Sequence, residues 1–178
     1  MNTLKSTLLI GALILSALPV MAQRPRVSPH DLTGAVIGGN RVTVYYGRPY
    51  TKDPRSGEAR KIWGNLVPFD QPWRLGADEA TTIITQKPIM IGDVLVPEGA
   101  HTLYLIPAAD GSAKLAISTA VGGWGIPVDT KHDVGRTDLK KDALPTPVDQ
   151  LTLALGRDGL LKISWESAQY SVQLSAPK

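Results

Sequence analysis

Trp73-Arg74 and, shortly after, Asp78-Glu79 form the densest group of chemically capable side chains in the sequence, with Arg48, Arg60 and Trp63 upstream of them. Planar guanidinium forks bind the paired oxygens of a carboxylate, a phosphate or a sugar acid. Indole rings stack on sugar or aromatic faces and attract cations. Arg48, Arg60, Trp63, Trp73, Arg74, Asp78 and Glu79 are therefore the candidate binding residues. The same residues also admit a purely structural role. Arg74 would then pair with Glu79 or cap backbone carbonyls, and the Trp rings would fill an edge of the fold, because structural ion networks imitate functional sites.

Glu79 is the candidate general acid or base if the protein is a hydrolase. Its neighbour Asp78 makes a poor partner within a strand, where adjacent side chains point to opposite faces. In a turn the two carboxylates can converge, and Asp70 is a more distant partner. The three histidines, His30, His101 and His132, show none of the spacings that place metal ligands on one face. No dense acidic loop suits calcium. Neither a metal nor a cofactor is expected. Cys is absent and no Gly-x-Ser-x-Gly elbow occurs. His101, in phase with Leu103 and Leu105, reads as a core-edge residue with one ring nitrogen satisfied. Tyr45, Tyr46 and Tyr104 read as sheet-face packing. Gly122-Gly123-Trp124-Gly125 would either let backbone approach a ligand or form a bend that tucks Trp124 into the core; the second is expected.

The elements that must position these groups are strands. Val42, Val44 and Tyr46 alternate with polar residues, as do Leu115 and Ile117, then Leu151, Leu153 and Leu155, then Leu161, Ile163 and Trp165, then Tyr170, Val172 and Leu174. Period two with polar alternates means a sheet with one face in a core. Gly38-Gly39-Asn40, Gly92-Asp93, Asp110-Gly111 and Asp158-Gly159 supply residues that tolerate positive φ, as tight hairpins demand. No stretch after the leader shows a convincing amphipathic helix. Pro145 and Pro147 mark a loop before the last three strands. Asp138–Asp142 is either a helical turn or a solvated charged stretch.

Residues 47–80 interrupt this pattern. So long a connection is usually functional or disordered. Disordered stretches are poor in aromatics, whereas this one holds Tyr50, Trp63, Phe69 and Trp73. It is expected to be an ordered loop segment packed on the sheet by its own rings.

Composition sets the outer limits. The chain has 178 residues, of which 43% are hydrophobic and 20% charged, which excludes a disordered or multi-spanning class. Lys5, an apolar run over Leu8–Val20 and the small residue Ala22 read as an export signal over residues 1–22, leaving 23–178 as a single β domain. The run is shorter than the roughly 20 residues a membrane span needs. After removal of the signal no membrane span remains, and the expected address is periplasmic or secreted. Without Cys, stability must come from a buried core instead of disulfides. The net charge of +3 is spread among interspersed acids, so no nucleic-acid partner is implied.

The blocks Tyr46-Gly47-Arg48-Pro49, Arg60 through Phe69, Trp73-Arg74-Leu75-Gly76-Ala77-Asp78-Glu79-Ala80-Thr81-Thr82, Pro97 through Pro107 and Gly123-Trp124-Gly125 together resemble the DUF2911 family over roughly Arg26 to Leu174. The resemblance implies an exported bacterial β-domain and no known chemistry. It departs at Asp78, where relatives tend to carry Asn, and at His101, where they tend to carry Tyr. A shared family chemistry should therefore need neither that carboxylate nor that imidazole. Hairpin spacing points to an all-β fold, an antiparallel two-sheet β-sandwich of jelly-roll type with residues 47–80 wrapped on one face or end. Three functions remain open. One is a non-catalytic domain binding a small molecule or an envelope partner. Another is a hydrolase of an envelope carbohydrate or ester using Glu79. The third is a structural or assembly component.

Overall fold

The computed structural model describes residues 26–178; the expected export signal at 1–22 lies outside the described residues. Eleven strands form among them: β1 (His30–Ile37), β2 (Asn40–Gly47), β3 (Thr82–Thr85), β4 (Ile89–Ile91), β5 (Val94–Val96), β6 (Gly99–Pro107), β7 (Ala113–Ser118), β8 (Asp133–Asp142), β9 (Val148–Leu155), β10 (Leu160–Glu166) and β11 (Ala168–Ser175). All pairings between them are antiparallel. No helix occurs among the described residues, so none is long and apolar enough to cross a membrane.

The all-β antiparallel expectation holds, but a two-sheet sandwich is not confirmed. One hydrogen-bonded path runs β1-β2-β3-β6-β7-β8-β11-β10-β9, with the β4–β5 hairpin branching from β11. Strand β8 makes the path continuous. Its residues from Asp133 to Leu139 pair with β7, and Lys140–Asp142 pair with β11. Asp138–Asp142, expected as a helical turn or solvated stretch, is thus the end of a strand. Its charges face outward while Thr137 and Leu139 are buried, so pairing on both sides overrides a weak local signal.

The path nearly closes into a barrel-like shape. Where β2 leaves the sheet, it meets β9. Tyr46 Oη donates to the Leu153 carbonyl at 3.2 Å and accepts from the Leu153 amide at 3.0 Å. Pro49–Thr51 then runs beside β9 through Leu151 N to Pro49 O at 3.0 Å and Thr51 N to Asp149 O at 2.7 Å. The inward face carries the core read from the alternation: Val42, Val44, Leu103, Leu105, Leu115, Ile117, Leu151, Leu161, Ile163 and Leu174 are all buried.

The segment between β2 and β3 is ordered by backbone as well as by rings. Strand β3 pairs with only the first part of β6, as far as Thr82↔Thr102. The segment takes the ladder positions beyond it: Thr81 accepts from Leu103 N at 2.8 Å, Trp73 exchanges two bonds with Leu105 at 2.7 and 2.8 Å, and Asp70 N donates to Pro107 O at 2.7 Å. Ile62, Val67 and Leu75 join the core. Trp73 stacks on Trp165 of β10 with centroids 5.5 Å apart, and Trp63 meets Trp73, Trp165 and Tyr170 edge-on at 6.5, 6.4 and 6.0 Å. Such pairs add about 0.5–1.5 kcal/mol each beyond the area they bury. At the far end, Gly47 lets the 76–80 turn come close, because a Cβ there would sit 2.1 Å from the Ala77 carbonyl oxygen.

Candidate functional site

The seven candidate residues separate into four places. Arg48 belongs to the β1–β2–β9 seam. Its Nε donates to Leu151 O at 3.0 Å, Nη1 to Asp31 at 3.2 Å and Nη2 to Thr152 Oγ1 at 3.0 Å. Every arm of the guanidinium is used, so the side chain holds strands together. Trp63 is packed among the other rings of the aromatic cluster, with its indole nitrogen buried and unpartnered.

Asp78 and Glu79 lie in a turn, with Asp78 at φ 62°, and there the two carboxylates do converge. The group they converge on is His30 at the start of β1, whose Nε2 is 3.1 Å from Glu79 Oε2 and 3.8 Å from Asp78 Oδ2. Arg26 also donates to Glu79, and the His30 ring stacks on Tyr45 at 5.3 Å. Burial pushes the Glu79 carboxyl up, but its backbone hydrogen bond, Arg26 and His30 outweigh that and hold it below the usual carboxylate range. An ionised Glu79 tied to Arg26 is a clasp for the N-terminal end of the described chain. It lines none of the clefts described below.

Trp73, Arg74 and Arg60 line a cleft, and Arg60 Nη2 donates to the Tyr50 carbonyl. The cleft, of about 560 Å³, lies between the 66–77 stretch and residues 125–128, with Arg60, Gln71, Trp73, Arg74, Ile126 and Trp165 among its walls. The Arg74–Glu79 ion pair of the structural reading does not form. Arg74 instead caps carbonyls, with Nε to Gly76 O at 3.3 Å and Nη1 to Trp124 O at 3.2 Å, and it has no ion pair among the described residues. Burial holds its guanidinium below the ordinary value; the charges of Asp78 and Glu79 offset only part of that.

Trp124 is not tucked into the core as expected. It is 54% exposed, and its ring lies over Arg74 with the guanidinium carbon 5.8 Å from the centroid. A cation under an indole replaces the apolar contacts a core would supply. Gly125 permits the close approach: at φ 77°, a Cβ would stand 3.0 Å from Arg74 Cβ and 3.1 Å from Ala80 Cβ. Beyond this loop a second cleft of about 240 Å³ shares Arg74, Gly125, Pro127 and Val128 with the first. Behind it Tyr104 donates to Asp133, and Arg136 Nε reaches Asp133 at 2.8 Å. Burial and then Asp133 push the Tyr104 hydroxyl far up, so it serves as a hydrogen-bond donor and not as a base.

His101 is buried as expected, and its Nδ1 has no partner. Among the described residues no group of three His, Asp or Glu side chains could hold a metal ion. Three residues near these sites were not among the candidate site residues read from sequence. Trp165 was legible only as a core position of β10. Arg26 and His30 carry no local signal, because their partner Glu79 is distant in the chain.

The family model described as "Protein of unknown function (DUF2911)" matches residues 28–174, and the chain belongs to that family. Comparison with curated proteins and with solved structures finds no match.

Proposed function

We propose that this DUF2911 protein is an exported, non-catalytic binding domain that takes a small ligand or an envelope partner into the cleft walled by Trp73, Trp165 and Arg74. The observation that carries the reading is Arg74. A half-buried cation with no carboxylate partner among the described residues, set beside stacked indoles on an open cleft, is costly for the fold alone. It becomes useful when a ligand supplies the missing anion. Export is supported by the basic start and apolar run of residues 1–22.

A hydrolase reading with Glu79 as acid or base has less support. The carboxylate is held ionised by Arg26 and His30 and stands away from both clefts.

A thermal-shift screen of small organic acids, sugars and envelope fragments against the wild type and Arg74→Gln tests the proposal. Ligands that stabilise the wild type should lose their effect in the variant while its unliganded melting temperature stays within a few degrees. If the variant cannot fold, the wild type decides: a screen in which nothing stabilises it removes the binding role. Turnover of any ester or glycoside that vanishes in Glu79→Gln would favour the hydrolase instead.

A further inference from the structure

We infer that the occupant of the cleft is an apolar-bodied carboxylate and not a sugar, a nucleotide or a neutral molecule; this rests on the cleft being a binding site, as proposed above. Arg60 and Arg74 are the charged residues that line it, and no Asp or Glu does. Its polar walls are donors in want of acceptors. Arg60 Nη2 is already given to the Tyr50 carbonyl, while Arg60 Nε and the Nε1 of Trp165 are donors without a partner, buried beneath the cleft surface. Indole and guanidinium nitrogens donate and cannot accept, and buried donors are normally paired. Arg74 spends its arms on two neutral carbonyls at 3.2 and 3.3 Å, long contacts that a charge-assisted pair would displace. The unmet requirement is for oxygen acceptors carrying negative charge.

The remainder of the lining fixes the body of the ligand. Leu66, Pro68, Pro72, Ile126 and the Trp73 ring offer apolar surface, and besides the arginines and indoles the polar side chains are Ser28 and Gln71. A sugar or a nucleotide brings several hydroxyls or phosphate oxygens, each needing a partner once desolvated. Two such side chains cannot serve them. A flat or aliphatic body needs only contact, and about 560 Å³ suits a molecule of drug-like size. A single available guanidinium fork matches the two oxygens of a carboxylate.

Three probes isolate the two halves of the inference: 2-naphthoate, its neutral counterpart 2-naphthylmethanol, and glucuronate, which keeps the charge on a polyol. Titration followed by tryptophan fluorescence should show saturable binding of naphthoate, about tenfold or more tighter than either of the others. Arg74→Gln should bring naphthoate down to the level of the alcohol; if that variant does not fold, the three-probe comparison on the wild type decides alone. Equal binding of the alcohol overturns the requirement for charge. Equal or tighter binding of glucuronate overturns the apolar body. Either result leaves the cleft a binding site. Silence of all three overturns the ligand class alone when the broader screen finds another ligand, and overturns the binding role as well when it does not.

Discussion

Ile62 provides the sharpest test of whether the 47–80 stretch is part of the fold or an appendage to it. The side chain is 2% exposed and lies in the core cluster, while Leu66, a few residues on in the same loop, is 42% exposed. The Ile62 carbonyl also accepts from Val67 N at 2.9 Å, so the backbone here cannot easily slide to refill a void. Ile62→Ala removes buried carbons worth about 0.8 kcal/mol each and leaves a cavity, for a cost of about 3 kcal/mol within the usual range of about 2–5 kcal/mol. For a domain of this size that is a fall in melting temperature of about 6–12 °C. Leu66→Ala, which removes a similar group from a wet site, should stay within about 0.5 kcal/mol. Urea titration followed by tryptophan fluorescence measures both, with the slope unchanged between variants. If Ile62→Ala costs no more than Leu66→Ala, the segment is a detachable loop. The placement of Trp73 and Arg74 then loses its rigid support.

Three further outcomes are expected. Tyr46→Phe strands both the amide and the carbonyl of Leu153 at the β2–β9 closure, so it should cost about 1–3 kcal/mol by urea denaturation, although it removes one oxygen. Gly47→Ala would drive its Cβ into the Ala77 backbone and displace the turn that carries Asp78 and Glu79. It should destabilise by about 1–3 kcal/mol, and a hydrogen-exchange map should show the loss concentrated at residues 76–80. Burial holds the His101 imidazole below its ordinary 6.5, with the Gly99 backbone opposing. The unfolded chain therefore takes up that proton first, and stability should fall as pH drops below about 6.5 and level off beneath the folded value. His101→Phe should remove that slope between about pH 7 and pH 5, and an unchanged slope would place its origin elsewhere.

Much of the sheet was legible in the chain itself. Alternation in β2, β7, β9, β10 and β11 follows from a backbone that turns successive side chains to opposite faces, and Asp-Gly and Gly-Asp pairs mark turns because few residues accept positive φ. These are local requirements, written residue by residue. The aromatic content of 47–80 likewise announced an ordered segment, since indoles are rarely left in water without a packing partner. Strands β1, β3 and β8 escaped notice. Two of them, β1 and β8, carry exposed and charged residues with little alternation, and hydrogen bonds from strands distant in sequence hold them in place.

Only the tertiary structure decided the fate of the charged groups. Arg48 and Arg74 are the same residue type in two separate family blocks. One became a fully used clamp on β9, while the other was left beside a cleft with carbonyls alone. Glu79 found Arg26 and His30, not Arg74. Trp124 took a place over a guanidinium in preference to the core. A side chain's type states what it can bind, and strand periodicity states which face it is on. Which partner arrives within a few ångströms depends on where the sheet closes, and that closure is a sum over contacts between residues far apart in the chain.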